Sequence, residues 1–158
     1  MQTFLPYQDF RKSLESLDNK RLGKQRVETF QIINAILGRP KKDGTPYKGW
    51  LNHPCSVMWR DYVPALKLYF NISLVVWEER GFTNNMNHEL SSDSIIKFPH
   101  WLGDEKFHSS HRANLLRKDF DYYSKHGWTE NPLDPYVWMD KEGKWYEQHI
   151  NTGKRVYI

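Results

Sequence analysis

A chain of 158 residues that is 39% apolar and 27% charged is long enough to bury a core as one domain and too apolar to be a disordered tail. Its single cysteine excludes an internal disulfide framework and any multi-cysteine zinc site, and points to a reducing compartment inside a cell. The net charge of +4 suits nucleic acid as a partner. The aromatic content of 15%, with seven Trp and nine Tyr, is more than a core of this size needs and suits a binding surface.

The start, Met1-Gln2-Thr3-Phe4-Leu5-Pro6, lacks the charged-then-apolar pattern of a signal peptide. A first helix is expected over residues 8–17, broken by Asp18-Asn19, which caps a second helix over residues 20–37. Gly38 and Pro40 stop it, and residues 39–47 form a basic, exposed turn. A third helical region opens at Asn52-His53-Pro54, and Pro64 starts a fourth. Residues 63–77 are apolar on nearly every face, which marks a central helix, and fall short of the ~20 residues that span a bilayer. Residues 83–98 read as a loop. A last helix starts at Ser109 or Ser110 and runs to Lys125, ahead of Gly127. Tyr136-Val137-Trp138 and Lys144-Trp145-Tyr146 flank Asp140-Lys141-Glu142-Gly143 as a hairpin, and Asn151-Thr152-Gly153 is a second turn. The expected fold is mainly α: a compact single-domain helical bundle, residues 1–135. A short β-hairpin-like aromatic C-terminal tail, residues 136–158, packs on the same domain.

At about 100° per residue, the second helix gathers Leu22, Phe30, Ile33 and Leu37 on a core face. Lys20, Arg21, Lys24, Gln25, Glu28 and Gln31 fall on the opposite side. Glu28 then has Lys24 one turn before it and Arg21 two turns before it, and a carboxylate among cations stays ionised. The same spacing fits a solvated face of weak i,i+4 pairs. Arg26 falls among the apolar positions, where a guanidinium is not left unpaired. Either it snorkels past its neighbours or a carboxylate or phosphate holds it in a cleft.

The opening hexapeptide, the run Leu17-Asp18-Asn19-Lys20-Arg21-Leu22-Gly23-Lys24-Gln25-Arg26-Val27-Glu28 and the segment His108-Ser109-Ser110-His111-Arg112-Ala113-Asn114-Leu115-Leu116-Arg117-Lys118 resemble the pyrimidine-dimer DNA glycosylase family. In a bacterial and phage branch the resemblance covers most of residues 1–138. Arg80-Gly81-Phe82 after the long apolar helix, and Trp145-Tyr146 with Gly153-Lys154 in the tail, extend it to more distant members. The resemblance implies a glycosylase that also cuts the abasic strand, with the N-terminal α-amine as nucleophile and a helix glutamate, here Glu28, in support. An α-amine, with a pKa of about 7.7–8.0 against about 10.4 for lysine, is partly unprotonated at neutral pH. No lysine stands out from the sequence as desolvated. Gln2 is too large for ordinary initiator-methionine removal, so the mature chain is expected to begin with Met1. Its amine serves, or water does.

His108 and His111, beside Arg112 and Arg117 near a helix start, make an anion site or a capped helix end, and lack the further ligands a metal needs. His53 lines the same cleft or is a capped, buried histidine. In the tail, Lys141, Lys144, Lys154 and Arg155 interleave with Trp138, Trp145, Tyr146 and Tyr157, to track a DNA backbone or to pack on the domain. Cys55 reads as a core residue. The expected catalytic groups are Met1 and Glu28. The expected DNA contacts are Arg21, Lys24, Arg26, His53, His108, His111, Arg112, Arg117, Trp145 and Lys154. The partner is double-stranded DNA with a damaged or modified base, in a bacterial cytoplasm or a phage-infected cell. No cofactor, metal, membrane or obligate protein partner is called for. Two other readings keep the residues and change the role: an enzyme of the same fold acting on a hypermodified base or nucleotide, and a non-catalytic DNA-binding protein.

Overall fold

In the computed structural model, which describes residues 2–158, side-chain caps and positive-φ glycines set several of the helix ends. Asp9 accepts the Lys12 amide at 2.7 Å and starts α1, Phe10–Glu15. The second helix, α2, spans Asn19–Leu37 and stops where Gly38 takes φ 69°, a left-handed conformation open to glycine without strain. A single turn, α3, Lys48–Leu51, follows the exposed basic segment. His53 caps α4, Pro54–Trp59, and α5, Val63–Glu79, carries Pro64 in its first turn, where no backbone donor is needed.

The last long helix departs from expectation at both ends. It begins at Glu105, because Asp104 accepts the Phe107 amide at 3.2 Å, so Ser109 and Ser110 lie inside it. This helix, α6, Glu105–Lys118, ends because Asp119 turns out of helical geometry, at φ −155° and ψ 83°. The Asp119 carboxylate then accepts the Tyr122 amide at 3.1 Å and starts the short α7, Phe120–Tyr123, followed by a 3-10 turn, Ser124–His126. One expected helix is thus a long helix followed by two short pieces.

The long α5 is the central element, packed against both α1 and α2 through Leu66, Tyr69, Phe70 and Leu74, all fully buried. Its Leu68 and Ile72 flank is half-buried and only partly covered. The core face of α2 is turned from the expected one. Leu22 and Ile33 are buried, but so are Gln25, Thr29 and Ile32, while Leu37 is 44% exposed. The tail forms a three-stranded antiparallel meander of β1, Tyr136–Met139, β2, Trp145–Gln148, and β3, Arg155–Tyr157. Trp138 faces Tyr146 across β1 and β2, and both are buried. With β1 packed on α4 and α6, the sheet closes one wall of a pocket whose opposite wall is α2.

Candidate active site

The site is organised around the first residues of the chain, which run extended into the core. Gln25, 1% exposed, holds them. Its Oε1 accepts the Phe4 amide at 2.8 Å, and its Nε2 donates to the Gln2 carbonyl at 2.8 Å. The Tyr69 hydroxyl lies 2.7 Å from the same Oε1 and 2.8 Å from the Phe4 carbonyl. Trp59 donates its indole N–H to Thr3 Oγ1 at 2.8 Å. Leu5 is held on both main-chain sides. His108 Nδ1–H donates to its carbonyl and the Leu5 amide donates to His111 Nδ1, each at 2.8 Å. Each of these bonds joins groups buried away from water, where a lost partner costs about 1–3 kcal/mol.

On either side of Gln25, α2 presents its charged face to a cavity of about 290 Å³. Among the described residues, Lys20, Arg21 and Lys24 on α2 and Lys118 at the end of α6 supply four cations, and Glu28 is the one carboxylate in the lining. Phe4, Tyr136 and Trp138 are the aromatic walls, and Gln2, Gln25 and Gln148 bring carboxamides. Among the described residues, Glu28, Lys20, Lys24 and Lys118 make no ion pair, whereas Arg21 pairs with Asp18 at 3.1 Å. A concave site with one sign of charge in excess concentrates anions. Lys118 is held below the ordinary lysine range by partial burial and by Arg21 and Arg117 nearby, so one lysine does stand out once the chain is folded. His53, also in the lining, has its pKa pushed down to about 4 by burial. The Cys55 amide donates to its Nδ1 at 3.1 Å, so neutral His53 carries its proton on Nε2.

Of the residues expected at the site, Arg21, Lys24, Glu28 and His53 come together in this pocket; Met1 lies outside the described residues. The others lie elsewhere. Arg26 is about 200° round the helix from Glu28. Its guanidinium lies over the Trp77 ring at 4.2 Å and donates to Asn84 Oδ1 at 3.3 Å. His108 and His111 are buried, and both rings are neutral. Burial lowers both pKa values, that of His111 to about 3, and His108 Nε2 accepts the Gly103 amide at 2.9 Å. They hold Leu5, and His111 Nε2 is left without a partner among the described residues. Arg112 bonds Glu130 at 2.9 Å and the Pro6 carbonyl at 2.7 Å, and pairs with Glu105. Arg117 donates to the Pro132 carbonyl at 3.0 Å and to Asn114. Trp145 packs beside Phe107, with centroids 6.1 Å apart, and Lys154 sits exposed before β3. Cys55 is buried, and burial pushes its thiol up, as suits a core residue. No cluster of three His, Cys, Asp or Glu poised for a metal occurs among the described residues, and no helix is long and apolar enough to cross a membrane.

The lining also holds residues that sequence reasoning did not assign. Lys20 was on the charged face of the wheel, and Lys118 closes the basic segment that begins at His108. Trp138 was one of the tail aromatics with either role open, and Gln2, Phe4, Tyr136 and Gln148 carry no local signal, since only the tertiary packing of the chain start and of β1 and β2 brings them to α2. Gln25 is a correction: a buried carboxamide counts as polar on a wheel, and its partners are backbone groups more than 20 residues away.

Among the described residues this pocket combines four cations, a carboxylate without an ion pair and aromatic walls, a lining suited to a polyanion bearing ring systems. The family model described as pyrimidine dimer DNA glycosylase matches residues 1–90, and the chain belongs to this family. These are glycosylases of DNA repair, with DNA as substrate. No curated protein and no solved structure matches the chain.

Proposed function

We propose that the chain excises a damaged or modified pyrimidine from double-stranded DNA, with an ultraviolet pyrimidine dimer as the leading substrate. The pocket beside α2 is where the glycosidic bond breaks. The observation that carries this reading is Glu28, a carboxylate without an ion pair among the described residues, in a lining whose other described charges are cationic. The cations suit the phosphates on either side of an extruded nucleotide, whose extrusion costs least where a lesion already disturbs stacking. As the C1′–N bond breaks, its electron pair leaves with the base and positive charge develops on the sugar. Glu28 stabilises that charge and moves protons in the steps that follow.

An amine that captures C1′ leaves an imine, and elimination from that imine nicks the strand. The family resemblance assigns this amine to the N-terminus. Lys118, in the pocket and with its pKa lowered, is the other candidate amine, and water replaces both in an enzyme without lyase activity. Glu28→Gln keeps the size of the side chain and removes its charge. It should reduce base release by about a thousandfold with DNA affinity and melting temperature nearly unchanged. Normal turnover by this variant would place the catalytic carboxylate elsewhere. Borohydride reduction with abasic DNA, followed by peptide mapping, separates the first residue from Lys118, and free base without any adduct means water.

A further inference from the structure

The basic turn between α2 and α3 takes no part in the pocket, yet it is built as a fixed projection. Pro40 and Pro46 pair across its base in an antiparallel bridge. The Lys41 amide donates to the Thr45 carbonyl at 2.7 Å, and the Gly44 amide closes a tight turn on the Lys41 carbonyl at 2.9 Å, with Gly44 at φ 84°. The carboxylate of the turn is used internally. Asp43 Oδ1 accepts the Thr45 hydroxyl at 2.6 Å and the Thr45 amide at 2.9 Å, which holds its pKa below the ordinary value. Arg39, at the foot, is committed to Glu89 at 3.0 Å. Lys41 and Lys42 are left exposed and, among the described residues, without an ion pair. Lys41 Nζ lies over the Tyr47 ring at 5.6 Å. Two prolines and a ladder of bonds fix where these lysines stand, an ordering that a merely solvated turn does not need.

The projection is mounted on the walls of the pocket. At one foot it leaves α2 at Gly38, about 15 Å along the helix axis from Glu28. At the other, Asn34 Nδ2 on α2 donates to the Tyr47 hydroxyl at 3.4 Å, α3 packs on α2, and the chain runs on to His53 in the pocket lining. Cations therefore stand toward both ends of α2: Lys20, Arg21 and Lys24 at the pocket, Lys41 and Lys42 beyond the far end. We propose that residues 40–46 are a wing that holds the phosphate backbone of the duplex beside the damaged site, on one side only, through Lys41 and Lys42. This rests on the proposed glycosylase reading, which puts the reacting sugar at the pocket. Lysine ammonium groups suit phosphates as point charges, and such contacts set register without reading sequence. At about 3.4 Å per phosphate along one strand, 15 Å of α2 places the wing about four base pairs from that sugar.

The test uses the full chain, an undamaged duplex and three duplexes with one thymine photodimer. The dimer is central, or about two base pairs from the 5′ end or from the 3′ end of its strand, so that each off-centre duplex lacks one flank. Binding is measured in the Glu28→Gln background, and base release with the native chain. One off-centre duplex, the one without the flank under the wing, should bind about tenfold more weakly than the other. Lys41→Ala with Lys42→Ala should erase that difference by weakening binding only where the flank is present, with the melting temperature unchanged. The same pair should lower the slope of log affinity against log salt on undamaged DNA by about 1 to 2. Equal affinity for the two off-centre duplexes, or a difference that survives the double substitution, overturns the proposal when the central dimer is preferred to undamaged DNA. If the dimer is not preferred and no base is released, the glycosylase reading falls, and an unchanged salt slope then refutes the wing as well. The expected asymmetry without base release refutes the glycosylase reading and leaves the wing standing. Base release with symmetric binding does the reverse.

Discussion

The charged halves of α2 and α6 look alike in sequence and do opposite work. Each brings several cationic or titratable side chains along successive turns of one helix. Around α6 the fold uses most of them: Arg112 meets Glu105, Glu130 and the Pro6 carbonyl, and the two histidines are bonded to Leu5, while Lys118 at its end is left to the cavity. Around α2, among the described residues, only Asp18 competes, and it takes only Arg21, so Lys20, Lys24 and Glu28 line the cavity without ion pairs. The availability of a charge is decided by which carboxylates and carbonyls the rest of the chain brings to it. Identity and helical position alone do not distinguish a binding face from a structural lock.

Substitutions should separate the two faces, and His111→Ala is expected to have the largest effect on folding. It opens a void in the core and leaves the Leu5 amide without its acceptor, at a cost of about 3 kcal/mol. A denaturant titration showing a loss under 1 kcal/mol would mean that the lock on Leu5 is dispensable. Acid should act through the same residue. His111 is neutral in the fold, with a pKa of about 3 against 6.5 as its ordinary value. The unfolded chain therefore binds the extra proton between those values. The stability His111 confers is complete above pH 6.5 and is lost as pH falls toward 3. Lowering the pH from 7 to 5 should cost about 2 kcal/mol from this group alone, read as a drop in the urea midpoint. A midpoint flat over that range would contradict a buried neutral ring.

The α2 face should show the converse. Lys20→Ala with Lys24→Ala should leave the melting temperature within a few degrees and weaken duplex binding by about tenfold. It should also reduce the slope of log affinity against log salt by about 1 to 2. An unchanged salt slope would remove these lysines from the DNA interface. Arg26→Ala should have the smallest effect. The Arg26 contact with Trp77 is worth about 1 kcal/mol of stability, and its place on the far side of α2 predicts DNA affinity within twofold of the native chain. A loss of binding comparable with that of the lysine pair would mean that DNA wraps both sides of the helix.

Helix periodicity, proline and glycine placement and the turn residues were enough to anticipate a mainly α domain with a hairpin in its tail, because these are local properties. The site was legible where its residues share one helix. Arg21, Lys24 and Glu28 lie on one stripe of α2, and the wheel finds them together. It failed where partners are distant. Nothing near His108 or His111 announces that Leu5, over 100 residues earlier, will occupy both rings. Nothing near Trp138 announces that its indole will face α2. The rotation of α2 has the same cause. Gln25 is buried because backbone groups from the start of the chain need its amide, and a scale of side-chain hydropathy has no place for that demand. The missed start of α6 is different in kind, since Asp104 followed by Glu105 was a local capping signal, overlooked in favour of the two serines.

The anchoring of residues 2–5 has a consequence for biosynthesis. Their partners are spread from Gln25 to His111, and the far wall of the pocket comes from Tyr136, Trp138 and Gln148. A ribosome that has emitted the first hundred residues has released Glu28 and three of the four pocket cations, but neither the histidine lock nor the sheet. The nascent chain at that point holds the charges of the site without its geometry. The pocket closes only after β2 has emerged, so a chain interrupted before Gln148 is expected to carry the charges of the site without its far wall.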